Sequence, residues 1–530
     1  MSISVRSKFQ TSLDGVMEIK QLVALFRRLE KFAFTFAIAT LVAFTGSVCG
    51  VAFGHDGDQD GAPSACDDVL SKYHAELEKL ASKCDELEMP LEAKITRSLI
   101  YKEKPYYFVV PLLTSEIGAK KLPDDATKTQ RQWYAKLLRL QAEYSDSTYA
   151  IAEQLGRKKR GYDVVAAILT TLFINPDHAK ARKFLGYLPK DGQWRTRWQL
   201  RQLEKGLVET KEFGWIPEDR VERYESGERY YRNKWMTADE EADLILKSTY
   251  GWRVETEHFS ILSRVSLERG VEIGKFLEAY YQVWSRLFYR FIASEQQWNS
   301  RLYNDSEIVA KRHKVILYQN RKEYLRELKK HDANVVLSDG GYFPTLRCTF
   351  VYQPEEEEFD LFTLLAHEAT HQLFDECNVT NGSRNRTDFS NRARIANFWA
   401  IEGVAVYAET FKVNEKRTSA VLGGYRDSFR VQCAMELISE NDNVPLREYA
   451  TMSRRAFQED RKLPDLYSQA AGLTFFFMHY ANGKYRDPFV VYLFGIYQGL
   501  DDINSLPEAT GKSFQELDRE YRDFMTSLHE

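Results

Sequence analysis

The sequence predicts an α+β protein that is mostly helical, and three observations lead to this prediction. Its 530 residues include 44% hydrophobic side chains, enough for several buried cores, and about 150 residues per domain gives three or four units. Helical spacing of apolar residues dominates the chain from residue 66 to residue 188. Beyond residue 250, short β-rich runs alternate with helical patterns, which is typical of an α+β domain.

The first 54 residues are predicted to direct the chain out of the cytoplasm. Basic residues between positions 27 and 31 precede an apolar run from Phe32 to Phe53, and acidic residues follow it. This charge order places the N-terminus inside and the rest outside. Ala52 and Gly54 offer small residues to a signal peptidase, so a cleaved signal peptide is favoured over an uncleaved membrane anchor or a buried helix. We therefore expect an exported protein, which is periplasmic, secreted or membrane-anchored.

The next segments are a predicted linker, 55–65, and a predicted helical region, 66–188. Asp and Gly dominate the linker, which favours a flexible acidic chain. Residues 134–188 carry one partial copy of a spacing that resembles a tetratricopeptide-like repeat, and a plain helical hairpin is the simpler interpretation. None of the six cysteines forms a CxxC pair. Cys66 and Cys84 either bridge two helices in an oxidising compartment or are buried free thiols.

Residues 189–250 interleave aromatic rings and charges, with tryptophans at 194, 198, 215 and 235. Rings of this kind either grip a polysaccharide or nucleic acid by stacking or pin a connector to neighbouring domains. Acids alternate with bases here, no basic stripe forms, and the net charge of the chain is -4. The connector is therefore favoured, and no nucleic-acid partner is expected.

Residues 251–530 are predicted to form a separate α+β domain. A β-rich run over 252–262 precedes a long helix over 266–292, and a buried strand over 314–318 precedes a helix over 322–330. A further strand over 345–352 is introduced by Gly340 and Gly341. We expect this strand to form the sheet edge above the helix that follows, where an extended peptide can add by main-chain hydrogen bonds.

That following helix carries the strongest chemical signal, His367-Glu-Ala-Thr-His371. The two histidines are four residues apart, so both imidazoles leave the same helix face. Neutral imidazoles are good ligands for zinc. Glu368 is placed to overhang a metal-bound water without ligating the metal, which is what the base of a metallopeptidase requires.

A catalytic zinc needs a third protein ligand and one open position. Glu402 lies in a largely apolar helical stretch, 397–409, where a lone carboxylate is costly unless it is paired or metal-bound. We assign Glu402 as the third ligand, and a salt bridge to a neighbouring helix is the alternative. Glu409, two turns further on the same face, either supports the site or is solvated. The arginines of the polar loop 375–394 either contact a substrate carboxylate or are simply exposed, which is favoured.

These two sequence motifs resemble those of the gluzincin-type metallopeptidases, and most closely those of a bacterial peptidase-MA-like family whose members mostly lack a defined substrate. The resemblance rests on His-Glu-x-x-His followed by Trp-x-x-Glu-Gly-x-Ala-x-Tyr-x-Glu and extends over about 250–530. It implies a thermolysin-like core with a small sheet, the motif helix and a glutamate-bearing helix. It also implies zinc on His367, His371 and Glu402, with Glu368 as general base.

The resemblance leaves two roles unassigned: the donor to the oxyanion and the residue that supports a histidine ligand. Relatives commonly use a Tyr or His from a later helix as donor to the oxyanion. Tyr467 ranks first because it begins an apolar helix, and His479 and Tyr480 follow. In the thermolysin-type pattern a carboxylate four residues after the ligand glutamate supports a histidine, and here Val406 holds that position. Support for the histidines must therefore come from elsewhere.

The sequence predicts zinc-dependent hydrolysis of peptide bonds in a peptide or protein substrate outside the cytoplasm. A metal-activated water attacks, and Glu368 is the general base. The alternative is a catalytically inactive peptidase-fold scaffold or binding protein that uses its N-terminal helical region. The intact set of His367, Glu368, His371 and Glu402 argues against that alternative.

Overall fold

The computed structural model describes residues 62–100, 106–116, 122–248, 250–304, 312–331, 338–355, 359–377 and 396–528. The fold is α+β and mostly helical, which confirms the predicted class at that level. The predicted signal or anchor segment 1–54, most of the linker and nearly all of the arginine-bearing loop 375–394 lie outside the described residues. Within the described part of the chain, no helix combines the length and apolar character needed to cross a bilayer.

The N-terminal region is a helical assembly that includes one strand. Its elements are α1 (Ala62–Glu86), α2 (Pro90–Ser98), β1 (Tyr107–Pro111), α3 (Lys128–Arg157), α4 (Gly161–Ile174) and α5 (Ala179–Phe184). Helix α1 begins inside the predicted linker. Helices α3 and α4 pack as a hairpin, and a buried hydrogen bond of 2.9 Å joins the hydroxyls of Thr148 and Thr171.

The proposed bridge between Cys66 and Cys84 is wrong. Both residues lie on α1, so they do not belong to two helices. Their separation of 18 positions corresponds to about 27 Å along a helix axis, whereas disulfide-bonded Cα atoms lie within about 7 Å. Both are buried free thiols, and burial raises the pKa of the Cys66 thiol to about 12.

Residues 187–246 fold as three successive units, each a β-hairpin followed by a helix. The units are β2 (Tyr187–Lys190), β3 (Gln193–Thr196) and α6 (Arg197–Glu204); β4 (Leu207–Thr210), β5 (Gly214–Pro217) and α7 (Val221–Glu225); and β6 (Glu228–Tyr231), β7 (Lys234–Thr237) and α8 (Ala238–Leu246). Gly186, Gly206 and Gly227 precede the units with φ of 95°, 73° and 91°. This left-handed backbone favours glycine. The segment is therefore an internal repeat of about 20 residues, a period that was not predicted from the sequence.

The rings of these units pack inward and onto neighbouring elements. Trp194 donates from Nε1 to Asp177 at 2.7 Å, and the rings of Trp198 and Trp215 meet edge to face at 5.5 Å. Phe213 belongs to a small buried cluster that contacts Leu267 of the next domain. The segment thereby contacts elements on both sides of it in the chain, through Asp177 and through Leu267.

The C-terminal domain contains a five-stranded sheet in the order β11-β12-β10-β9-β8. Its three central strands are parallel, and both edge strands are antiparallel to their neighbours. The strands and the helices between them are β8 (Trp252–Glu255), β9 (Phe259–Ser263), α9 (Leu267–Leu287), α10 (Glu295–Tyr303), β10 (His313–Tyr318), α11 (Arg321–Leu328), β11 (Gly340–Phe343) and β12 (Cys348–Tyr352).

The remaining elements are helical apart from one short hairpin. They are α12 (Leu361–Glu376), α13 (Phe398–Ala408), β13 (Lys412–Val413), β14 (Ser419–Gly423), α14 (Phe429–Ser439), α15 (Leu446–Ala450), α16 (Arg454–Gln458), α17 (Leu463–His479), α18 (Arg486–Gln498), α19 (Ser505–Thr510) and α20 (Phe514–Ser527). Among the residues that the structure describes, short 3₁₀ turns connect elements at Glu218–Arg220, Tyr289–Phe291, Tyr425–Asp427 and Tyr480–Asn482. One large hydrophobic core joins β1, α9, α12, α13 and α17.

The edge of the sheet differs from the prediction. The strand predicted over 345–352 corresponds to β12, which lies between β10 and β11, so the edge strand is β11. Two glycines explain the difference, because they form the edge strand instead of a turn before it. A Cβ at Gly340 would lie 3.0 Å from Cδ2 of Leu364. The absence of side chains here allows β11 to lie close over α12.

Strand β1 ties the N-terminal region to the C-terminal domain. It pairs antiparallel with β14, and β13 completes this second sheet. Phe108 of β1 is 2% exposed and packs 4.9 Å from the ring of His479. The predicted helical region therefore supplies a strand to the domain that carries the motif.

Candidate metal centre

Helix α12 presents the two motif histidines side by side. The side chain of Asp360 caps the helix by accepting from the backbone N–H of Phe362 at 3.1 Å. Leu365 and Leu373 are fully buried in the core and fix the orientation of the helix. His367 and His371 project from successive turns of the opposite face, with their Nε2 atoms 3.2 Å apart.

Glu402 reaches the same point from α13. Every residue of α13 is buried, and Gly403 permits close contact with α17, since a Cβ there would lie 2.7 Å from the backbone oxygen of Ala470. This packing leaves Oε2 of Glu402 3.8 Å from Nε2 of His367 and 3.7 Å from Nε2 of His371. The structure therefore brings together all three residues that the sequence predicted as ligands.

The donor atoms of His367, His371 and Glu402, here called the triad, have separations that fit a tetrahedral metal site. One donor atom from each of His367, His371 and Glu402 lies within 4.8 Å of the other two. Ligands about 2.0–2.1 Å from a tetrahedral ion are about 3.3 Å apart, close to the separations of 3.2, 3.8 and 3.7 Å. Two imidazoles and one carboxylate form a borderline donor set that suits zinc and leaves a fourth position for water or substrate.

Glu409 supports the first histidine. Its Oε1 lies 2.8 Å from Nδ1 of His367, so the imidazole donates from Nδ1 and directs Nε2 toward the triad. Glu409 stands just after the end of α13, two helical turns beyond Glu402. The side chain of Val406, four residues after Glu402, is buried in the core, so Glu409 makes the contact with the histidine instead. Of the two interpretations left open for Glu409, the supporting contact is the observed one.

The two histidines have opposite electrostatic environments. Burial lowers the pKa of His367, but the hydrogen bond to Glu409 and the charges of Glu368 and Glu402 outweigh it and raise that pKa to about 9. Burial, His367 and Arg454 hold the pKa of His371 well below its usual range. These opposite shifts favour a protonated His367 and a neutral His371 in the metal-free protein at neutral pH. A metal must displace the proton of His367 to bind.

Glu368 lies beside the triad but does not belong to it. Its Oε2 accepts a hydrogen bond of 2.7 Å from the backbone N–H of Tyr342 on the edge strand β11. Burial raises the pKa of its carboxyl, while the positive charge of His367 and the Tyr342 N–H oppose the rise. A buried carboxylate with a raised pKa next to a metal site is suited to accept a proton at neutral pH.

The three candidate oxyanion donors have different surroundings. The carboxylate of Glu402 interacts with the Tyr467 hydroxyl, and burial together with Glu402 holds the pKa of Tyr467 above the usual range, so the hydroxyl keeps its proton. His479 instead pairs through Nε2 with the hydroxyl of Tyr407 at 2.7 Å in the core. Tyr480 stacks on Tyr485 with ring centroids 5.8 Å apart. Of the three, Tyr467 is the one at the triad.

Two further residues reach the site without having been predicted from the sequence. Tyr342 contacts Glu368 through its backbone, and a backbone contact leaves no trace in side-chain patterns. Arg454, at the start of α16, is close enough for its charge to lower the pKa of both His371 and Glu402. Its guanidinium lies 5.5 Å from the ring of Phe398, one turn before Glu402. Only the fold brings either residue to the motif.

Comparisons with known proteins assign no family to the chain. No protein-family model matches the sequence, and no curated protein is significantly similar to it.

Proposed function

We propose that this protein is a zinc metallopeptidase that hydrolyses peptide bonds outside the cytoplasm. One observation carries the proposal: the donor atoms of His367, His371 and Glu402 converge within 4.8 Å, with the Glu368 carboxylate next to them. A structural zinc site needs four protein ligands, whereas a catalytic site has three and an adjacent base. The proposed location outside the cytoplasm rests on the apolar run from Phe32 to Phe53.

A thermolysin-like core is part of the proposal. The arrangement in its favour is a sheet whose antiparallel edge strand β11 lies over the motif helix α12. A second helix, α13, carries the glutamate of the triad, and a third, α17, carries the tyrosine beside it. The free side of β11 is where an extended peptide substrate would add as a further strand.

A zinc ion held by the triad would supply Lewis acidity and lower the pKa of water to about 7. Glu368 accepts the proton of the attacking water and passes it to the leaving amine nitrogen as the peptide bond breaks. Tyr467 donates a hydrogen bond to the carbonyl oxygen as negative charge develops on it. Glu409 holds His367 in the tautomer that directs Nε2 to the metal.

The proposal is tested with a library of proteome-derived peptides incubated with zinc-loaded wild-type protein and with Glu368→Gln. We expect cleavage by the wild type and a loss of at least about a hundredfold in Glu368→Gln, since general-base catalysis contributes about 10²–10⁴-fold. Equal cleavage by both proteins would show a contaminating peptidase and contradict the proposal. Zinc-loaded wild type that cuts no peptide would favour the peptidase-fold scaffold instead.

A further inference from the structure

Tyr342, on the edge strand β11, makes hydrogen bonds to the motif helix at two points. Its backbone N–H donates to Oε2 of Glu368 at 2.7 Å. An edge strand has backbone groups that no neighbouring strand satisfies, and here the carboxylate of the proposed base accepts from one of them. This hydrogen bond links the position of the Glu368 carboxylate to that of β11.

The second point is the phenol of Tyr342, which is held at the C-terminal end of the same helix. Its hydroxyl donates to Oδ2 of Asp375 at 2.6 Å and lies 3.3 Å from Oε1 of Glu376. Hydrogen bonds to ionised acceptors are roughly twice as strong as neutral ones. The side chain of Tyr342 thus spans the two turns of helix that separate Glu368 from Asp375.

Glu376, the farther of the two acceptors, is itself held by three neighbouring side chains. Nδ1 of His313 lies 3.0 Å from its Oε2, Nε2 of Gln372 donates to its Oε1 at 3.1 Å, and Nη2 of Arg347 lies 3.4 Å from its Oε2. His313, Gln372 and Glu376 are all buried. A buried polar network in which each member is satisfied rigidifies the elements that it joins, here β10, β11 and α12.

We propose that Tyr342 is a positioning residue for the base: its phenol, held by Asp375 and Glu376, keeps its own backbone N–H against the carboxylate of Glu368. The predicted change in kcat rests on the proposed peptidase function. The hydrogen-bonded contact of Tyr342 between β11 and α12, which we call the clamp, does not. At this site Tyr342 donates a hydrogen bond to the carboxylate of Glu368, so we expect its effect on turnover to pass through Glu368.

The kinetic test uses Tyr342→Phe, which removes the hydroxyl and keeps the backbone N–H. We expect kcat for a peptide substrate to fall about tenfold with KM nearly unchanged, because displacement of a reacting group by about 1 Å costs up to a hundredfold. Zinc content should stay at the wild-type level. Asp375→Ala removes the nearer acceptor from the helix side and should lower kcat in the same way if Tyr342→Phe does not fold.

Tyr352→Phe is the matched control. Tyr352 is a fully buried tyrosine on the neighbouring strand β12, and its hydroxyl donates to Oδ1 of Asp339 at 2.9 Å. Loss of this hydroxyl should lower stability without lowering kcat. If kcat is unchanged in both Tyr342→Phe and Asp375→Ala, or falls equally in Tyr352→Phe, Tyr342 is merely structural and the inference is overturned.

Hydrogen exchange tests the clamp without reference to activity. In zinc-loaded protein, a peptide covering residues 340–343 should exchange its amides faster in Tyr342→Phe and in Glu368→Ala than in the wild type. Tyr352→Phe should leave the exchange of the Tyr342 amide unchanged. If the wild-type protein has no peptidase activity, the proposed function is wrong, and hydrogen exchange alone tests the contact between β11 and α12. Unchanged exchange in both Tyr342→Phe and Glu368→Ala would then overturn the inference.

Discussion

His367 and Glu409 meet across two helices, with Nδ1 of the imidazole 2.8 Å from Oε1 of the carboxylate. The contact fixes which nitrogen of His367 faces Glu402 and His371, because Nδ1 must carry the hydrogen that Glu409 accepts. This hydrogen bond is also the largest of the contributions that raise the pKa of His367. Val406, three residues before Glu409, has its side chain buried in the hydrophobic core.

Removal of this carboxylate should weaken metal binding. We expect Glu409→Ala to lower zinc affinity about 10–100-fold, the usual effect of losing a residue that orients a histidine ligand. Glu409→Gln should have a smaller effect, since an amide oxygen still accepts from Nδ1. Competition with a chromogenic chelator measures the affinity, and Glu415→Gln, an exposed glutamate in the same domain, is the control. Wild-type affinity in Glu409→Ala would show that the contact does not support the site.

The raised pKa of His367 predicts a pH-dependent stability of the metal-free protein. The folded pKa is about 9 and the ordinary value is 6.5. The stabilisation is therefore fully present below about pH 6.5 and is lost as pH rises toward 9, because the folded state then binds more protons than the unfolded state. Zinc displaces this proton, so the zinc-loaded protein should not show the decline.

Urea unfolding at pH 6.5 to 9 checks this prediction. The pKa of His258 is also raised, so the contribution of His367 is read as the difference between wild type and His367→Gln. We expect the decline of the metal-free wild type to exceed that of His367→Gln over this range. Parallel curves for the two proteins would contradict the assignment of a protonated His367 to the metal-free state.

Tyr467 should act in turnover without holding the metal. We expect Tyr467→Phe to lower kcat about 10²–10³-fold, the typical loss of one oxyanion donor, while zinc content stays unchanged. Tyr480→Phe removes a hydroxyl beyond the other end of α17, where the ring stacks on Tyr485, and should keep wild-type kcat. Equal kcat in wild type and Tyr467→Phe would remove Tyr467 from the mechanism.

Strand β1 should make the N-terminal region necessary for the fold of the metal domain. Phe108 is buried between the ring of His479 at 4.9 Å and the guanidinium of Arg486 at 4.5 Å. We expect Phe108→Ala to lower the free energy of unfolding by about 3–5 kcal/mol. Denaturant unfolding should show zinc release at a lower denaturant concentration in this variant.

Leu138→Ala, at a residue of α3 that is 37% exposed, is the control and should change stability by no more than about 0.5–1 kcal/mol. A chain that starts at residue 189 lacks β1 and should not fold to a zinc-binding protein. If that chain bound zinc with wild-type affinity, β1 would be dispensable and this part of the account would be wrong.

The predicted ligand set followed from local rules, which is why the sequence was sufficient for it. His367 and His371 share a helix face because they are four residues apart, and Glu402 stood out as a carboxylate in an apolar helix. The mostly helical α+β class followed from periodicity in the same way. Only short-range geometry was needed for these predictions.

The remaining features depend on long-range packing, which no local pattern encodes. The pairing of Val110 with Ala420 joins positions 310 residues apart. The edge strand was misplaced because Gly340 and Gly341 look like a turn, and only the approach of Leu364 explains why they form a strand. The contact of Glu409 with His367 required knowing how α13 crosses α12. The hairpin repeat of residues 187–246, by contrast, was readable in the spacing of Gly186, Gly206 and Gly227.

The metal content of purified protein tests the central claim most directly. Elemental analysis should find one zinc per chain in the wild type and in Glu368→Gln, which lacks the base but keeps every ligand, and no zinc in His367→Ala. Glu368→Gln should then be inactive although it is loaded with metal. A folded wild-type protein that binds no zinc under any loading condition would contradict the account.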